Sequence, residues 1–403
     1  TAYDADAFGE FKNGVWVAKT PDVTYGTNGF YLDFQDDTEV EAFNTVLFRG
    51  NGGTQSVTGM GFKPDLLWIK SRSSVRSHNL YDSIRGTGAL LSDNTRDEAT
   101  GNTGLLSFDS DGFTGIYRSG VWEDVNGSGE TFVAWGWKAG DSNVSNTDGS
   151  ITSTVRANDT YGFSIVSYSG TGSAATIGHG LSTAPSMMIV KVLNTTNNWM
   201  VYHTSLGTSD QVQLNLTNAA TTNVNQFNDT APTTSVFSVG TTPATNGSGN
   251  NYIAYCWAEK TGYSKFGSYT GNGSTTGPSE TGFGFKPAFM IIKRTDDANS
   301  WYLVDNTRDT TNPISVELEA NNTGTEGTGI DRIDFNSDGF QIKTSGAAYN
   351  ASGGTYIYAA FADTREAAFW LDQSGNDNDW QPVNLDHNDT VADSPTDNFC
   401  TWN

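Results

Sequence analysis

The sequence predicts an all-β chain of three tandem modules, on three observations. First, a ten-residue phrase returns: GFKPDLLWIK at 61–70 reappears as GFKPAFMIIK at 284–293, with a looser copy, LSTAPSMMIVK, at 181–191. Second, 45 glycines and 10 prolines, with abundant Thr, Ser and Asn, punctuate short aromatic and β-branched runs, the composition of strands joined by many turns. Third, no segment sustains an apolar period of 3.6, so almost no helix is expected. The copies recur at about 100 residues, too long for a solenoid of roughly 20–50-residue units. They read as domains.

In chain order, residues 1–44 stand outside the repeat and hold two strand-like runs, GVWVAK at 14–19 and GFYLDF at 29–34. Thr1 opens mid-phrase, as a piece of something longer would. Module one spans 45–140, and a polar link, 140–159, leads to module two at 160–261; module three follows at 262–364. Each opens on an aromatic-x-Gly-x-Gly turn: Phe48 to Gly52, Tyr168 to Gly172, Tyr269 to Gly273. Next come Pro64, Pro185 and Pro287, which fix φ, donate no N–H and suit the first residue of a strand. The run after each proline is too short for a helix and apolar at consecutive positions, as in a strand buried on both faces. Lys70, Lys191 and Lys293 end these runs.

Eighteen residues after each proline stands Asp82, His203 or Asp305, closing a second short strand. A third run follows: FVAWGW at 132–137, YIAYCW at 252–257, YIYAAF at 356–361. Four landmarks in one order, three times, define homologous units. Modules one and three also share FDSDGF at 108–113 and FNSDGF at 335–340, where Asp-Gly is the two-residue hairpin signal. Residues 365–403 again lie outside the repeat, with a strand-like AFWL at 368–371 and a polar loop at 372–379.

A formal net charge of −23 argues against nonspecific nucleic-acid binding and against docking on anionic lipid. It suits a particle that resists self-association or takes up divalent cations. No apolar run reaches the roughly 20 residues that span a membrane, so no insertion is expected. Cys256 and Cys400 cannot make a disulfide framework, and Cys256, inside an apolar strand, reads as a small core residue. Asn-x-Ser/Thr triplets, as at Asn126, Asn272 and Asn350, arise by composition in so Asn- and Thr-rich a chain and are not read as glycosylation.

No catalytic constellation is visible. His78, His179, His203 and His387 fall in no metal-ligand spacing. There is no nucleophile elbow, no Cys–His pairing and no phosphate loop. A non-enzymatic chain is expected; paired carboxylates of a glycan-degrading enzyme are the remaining alternative, but nothing singles out one pair. Oxygen-rich loops suit calcium: Asp36 and Asp37 with Glu39, the Asp109/Asp111 turn, and above all Asp372, Asn376, Asp377 and Asp379. Turn geometry explains the same residues equally simply. Trp199 and Trp301 each lie 14 residues after their proline, beyond a polar loop, where His78 stands in module one. Two readings fit them: a rim ring stacking on a sugar, or a tryptophan capping the core.

The strings KFGSYTGNGS at 265–274 and NASGGTYI at 350–357 resemble a module of tailed-bacteriophage structural proteins, described as tail-fibre or tail-associated proteins of marine phages. GSGNNY at 247–252 looks like the matching phrase of a second copy. GTNGFYLDF at 26–34 and SGNDNDW at 374–380 resemble linker text beside a concanavalin-like domain in that family. The resemblance covers essentially the whole chain. It implies three tandem β-sandwich modules, with flanking strand segments from a split or neighbouring domain. It further implies a component of the virion surface, a fibre or other appendage. Its partners would be other virion proteins, further copies of the chain in a homo-trimer, and a host-surface glycan; a passive decoration or scaffold protein is the alternative. It carries no catalytic residues across.

Overall fold

The repeated strands are buried on both faces because each faces two different cores. The computed structural model describes residues 5–12, 15–19, 23, 42–101, 103–121 and 124–362. The chain divides into two units, Thr1–Glu39 with Arg365–Asn403, and Val40–Thr364. Of the first unit, the described elements are a 3-10 turn at Ala5–Ala7 and an antiparallel pair, β1 (Gly9–Lys12) and β2 (Val15–Ala18). The strand-like runs at 29–34 and 368–371 lie outside the described residues.

The second unit holds all three repeats. The first contains β3 (Phe43–Arg49), β4 (Thr54–Thr58), β5 (Leu66–Ser71), β6 (Asn79–Asp82), β7 (Gly86–Leu91), β8 (Leu105–Asp109), β9 (Gly112–Ile116) and β10 (Thr131–Trp137). After β11 (Val144–Asn146) and β12 (Ser153–Asn158), the second contains β13 (Phe163–Ser169), β14 (Ala175–Gly178), β15 (Met187–Val192), β16 (Met200–His203), β17 (Asp210–Gln213), β18 (Thr221–Thr222), β19 (Val236–Val239) and β20 (Asn251–Trp257). The third contains β21 (Ser264–Thr270), β22 (Ser279–Thr281), β23 (Pro287–Arg294), β24 (Trp301–Asp305), β25 (Leu318–Glu319), β26 (Ile333–Asn336), β27 (Gly339–Ile342) and β28 (Thr355–Ala362). The α-helices described are single turns, Pro243–Asn246 and Ala347–Asn350, and none is long and apolar enough to cross a membrane.

Each repeat is a two-layer sandwich. The large sheets run β3-β10-β5-β6-β7 and β21-β28-β23-β24-β25, and the second repeat keeps the same order as β13-β20-β15-β16-β17. The small sheets are β4-β9-β8, β14-β19 and β22-β27-β26. This is an all-β, antiparallel sandwich architecture, as the sequence predicts. Pro287 opens its strand, while Pro64 and Pro185 stand two residues ahead of theirs.

The alternation along each strand shows the two cores. In β10, Phe132 and Ala134 face the first repeat's small sheet, packing with Phe113 and Val57. Val133, Trp135 and Trp137 point the other way, into a core shared by all three repeats with Tyr255, Trp257, Phe289 and Phe361. β20 repeats the pattern, with Tyr252, Ala254 and Cys256 on its own sandwich core. The equivalent rings of Trp137, Trp257 and Phe361 meet, with Trp137 centred 6.0 Å from Trp257 and 5.8 Å from Phe361. The modules are thus not beads on a string. They form a ring with approximate threefold symmetry, and burying each ring side chain contributes roughly 1.5–3 kcal/mol.

Two local readings change. The stretch 140–159 is more than a polar link: β11 and β12 form a hairpin that extends the second repeat's sheet beyond β13. Arg156 on β12 also reaches Asp65 of the first repeat at 2.6 Å. In the Asp-Gly hairpins the turn residues are Ser110-Asp111 and Ser337-Asp338, because Asp109 pairs with Gly112 and Asn336 with Gly339. The glycines are required one position later. Gly112 has φ +139° and Gly339 +135°, and a Cβ on either would meet a facing carbonyl, of Val57 or Glu280, at 2.1 Å.

Candidate functional site: the seams of the ring

Each repeat touches the one before it through the same set of atoms. Position +12 from the proline donates its backbone N–H across the seam: Asn197 to Thr95 O, Asn299 to Thr217 O, Arg76 to Thr323 O, at 2.7–3.0 Å. The loop returns an N–H to position +8: Glu98 to Leu193 O, Ala220 to Thr295 O, Glu326 to Arg72 O. Second binds first, third binds second, and first binds third. The ring is a head-to-tail assembly that closes within one chain.

Three lysines lie in these seams. Lys70, Lys191 and Lys293 are at most 1% exposed, although each ends an apolar run. Their ammonium groups donate to the same loop carbonyls: Lys70 to Thr323 O at 3.3 Å, Lys191 to Thr95 O at 3.3 Å, Lys293 to Thr217 O at 3.0 Å. Each finds a second carbonyl nearby, of Ser71, Val192 or Asn299. Burial lowers all three amines to about 8.

The strand-end polar residues also face seams. Asp82 is capped by Tyr255 OH of the second repeat at 2.8 Å, and Asp305 by Trp135 Nε1 of the first at 3.0 Å. Arg85 and Arg308 pair with these carboxylates from three residues on. At the third seam stands His203, with Leu206 in place of the arginine; its Nε2–H donates to Tyr358 O at 3.0 Å. His78 occupies the seam between first and third repeats. Its Nδ1 accepts from Trp68 Nε1, and its Nε2 is turned toward the Glu319 backbone without closing a well-formed hydrogen bond.

Trp199 and Trp301, the candidate sugar-stacking residues, are 0% and 1% exposed. Their indoles donate across seams, Trp199 to Leu91 O at 2.9 Å and Trp301 to Gln213 O at 2.8 Å. Neither presents a face to a ligand, and the core-capping reading is the one the structure has. Asp111 accepts from the Gly59 and Gly61 amides, and Asp109 from the Ser107 and Thr114 hydroxyls, which is turn chemistry. Asp372, Asn376, Asp377 and Asp379 lie outside the described residues, as do Asp36, Asp37 and Glu39. Among the described residues no group of three or more His, Cys, Asp or Glu side chains is placed to hold a metal ion. Cys256 is a fully buried free thiol, raised by burial, as expected of a core residue.

A shallow recess of about 80 Å³ is lined by Glu317, Glu319, Asn322, Gly324, Thr325 and Gly327. That is well below the ~300 Å³ at which ligand pockets begin. Its carboxylates are engaged by protein: Glu317 with Arg332 and the Tyr349 hydroxyl, Glu319 with Ser300 and Asn322.

Sequence reasoning missed three asparagines. Asn126, Asn246 and Asn350 are fully buried and pin the Gly-x-Gly turn of their own repeat. Asn350 Oδ1 accepts from Asn272 N at 2.7 Å, while its Nδ2 donates to Ser274 O and Thr344 O. Asn126 and Asn246 do the same with Asn51 and Gly53, and with Thr171 and Ser173. Their signal was constant spacing: each lies five residues before the strands beginning at Thr131, Asn251 and Thr355.

Fold and seams define an all-β chain of three homologous sandwiches closed into one ring. Residues 38–365 match the family described as Domain of unknown function (DUF7483), and the chain belongs to it. No curated protein and no solved structure matches the chain.

Proposed function

We propose that this chain is a structural component of a tailed-phage virion, part of a fibre or other surface appendage. The observation that supports it best is the ring itself. Three sandwiches are held by equivalent buried hydrogen bonds at every seam, so their outer surfaces are fixed relative to one another. That is the property wanted in a display or scaffold body. A charge of −23 keeps such a body dispersed. Electron microscopy of particles labelled with antibody against the chain tests it: label on an appendage supports the proposal, and unlabelled intact particles overturn it.

Whether the surface binds a host glycan is the finer question. Burial of Trp199 and Trp301 removes the aromatic faces expected to stack on sugar, and so favours a decoration or scaffold protein whose partners are other virion proteins. A glycan array reads this directly, and release of reducing sugar would indicate an enzyme instead. Association into a homo-trimer belongs to the same proposal. It would use surfaces other than the seams, since all three are closed within the chain. Light scattering from the full chain decides it, against a single-chain mass of 43.3 kDa.

A further inference from the structure

We propose that the ring is built to open in acid, and to open at the third repeat. Both seams of that repeat carry a buried neutral histidine, whereas the seam between first and second repeats carries none among the described residues. At the seam with the second repeat, His203 donates from Nε2 to Tyr358 O and accepts at Nδ1 from Ser205 N at 3.1 Å. At the seam with the first, His78 accepts at Nδ1 from Trp68 Nε1 at 2.9 Å. Each imidazole is therefore held in the Nε2–H tautomer with Nδ1 as acceptor. A proton arriving at Nδ1 turns that acceptor into a donor facing another N–H. The hydrogen bond breaks, and a charge is left in a dry seam. The equivalent position at the remaining seam is Asp82, whose carboxylate is paired with Arg85 and capped by Tyr255, and Trp199 stands where His78 would.

Nothing around either ring compensates the charge. His203 is packed by the Phe266 ring of β21, centred 6.3 Å away, and by the β28 backbone. Glu259 and Lys265 flank Phe266 and are paired with each other, Glu259 also accepting from the Phe266 amide, while the Tyr358 ring packs against Phe283 and Phe340, with Glu280 and Glu259 near its hydroxyl. His78 faces Lys70 from its neighbouring strand and Arg308 from the third repeat, both cationic; the nearby carboxylate, Asp93, accepts from the His78 backbone N–H and from Ser77. Burial holds both imidazoles below the ordinary histidine value, His203 at about 4. Their folded values lie below the unfolded one. The stability they allow is complete above pH 6.5 and is lost as pH falls toward 4.

Hydrogen exchange of the full chain at pH 7.5 and pH 5.0, corrected for intrinsic rates, tests this. Protection in β16, β24 and β28 is expected to fall about thirty-fold, the ratio for one histidine moving from 6.5 to about 4. The contacts of Glu98 and Asn197 between first and second repeats should change by less than about threefold. The variant His78→Asn/His203→Asn keeps a side-chain acceptor that does not titrate, and should abolish the difference between seams. Equal loss at all three seams, no loss at pH 5.0, or an undiminished difference in the variant would overturn the proposal. Should the double variant not fold, the wild-type comparison among seams decides alone.

Discussion

At the scale of the residue, a single buried amide does the work of a turn. Asn350 satisfies Asn272 N–H and two carbonyls at once, in a place where water cannot. Replacing it with alanine leaves those groups unpaired, and a buried unsatisfied group costs about 1–3 kcal/mol. Asn350→Ala should therefore lower unfolding stability by roughly 2–3 kcal/mol in urea titration, with Asn126→Ala similar. Thr270→Ala, on an exposed strand position, should stay within about 0.5 kcal/mol. Equal effects of all three would show that the asparagines do not hold the turns. In the folded chain the amide nitrogens of Asn126 and Asn350, both in Asn-x-Ser triplets, already donate to protein.

At the scale of the element, each central strand serves two cores, and its outermost polar contact crosses a seam. Tyr255→Phe keeps the ring in the shared core while deleting its bond to Asp82 and the one it accepts from Arg85. Hydrogen bonds to charged groups contribute about 1.5–3 kcal/mol. The variant should lose that much, read as a lower urea midpoint at unchanged slope. An unchanged midpoint would mean that the Asp82–Arg85 pair is sufficient without its cap. Trp135→Phe removes the corresponding donor to Asp305 in a different seam but also shrinks a buried ring that packs on Phe289 and Arg308, so its loss should exceed that of Tyr255→Phe.

For the whole molecule, the three seam lysines give stability a distinctive alkaline profile. Their folded values, about 8, lie below the unfolded 10.5. Below pH 8 both states are protonated and the penalty of burying charge is full. Between 8 and 10.5 the unfolded chain binds more protons, so stability rises with pH. Above pH 10 the buried tyrosines act oppositely: burial raises Tyr168, Tyr255, Tyr269 and Tyr349, so the unfolded chain loses protons that the folded one keeps. The urea midpoint should climb from pH 8 toward pH 10 and then fall. A midpoint that declines steadily from pH 8 would show that the lysines are not neutralised in the seams.

Local pattern alone determined that this chain is β-rich, that it contains three repeated units, and that a strand follows closely on or begins at each repeated proline. Apolar runs such as LLWIK and MMIVK, proline ahead of them and Asp82, His203 and Asp305 behind, are properties of adjacent residues, and propensity and period report on adjacent residues. Consecutive burial was legible too, but not its cause, since a run buried on both faces looks alike whether it lies inside one sandwich or between two cores. The tertiary structure decided that the sandwiches close into a ring, that Lys70, Lys191 and Lys293 are interior, and that Trp199 and Trp301 are covered by a neighbour. It also decided that residues 140–159 extend a sheet. The first three depend on contacts between residues far apart in sequence, such as Lys70 with Thr323, whereas the added strands pair through local hairpins. No spacing within one repeat encodes which surface of another will meet it.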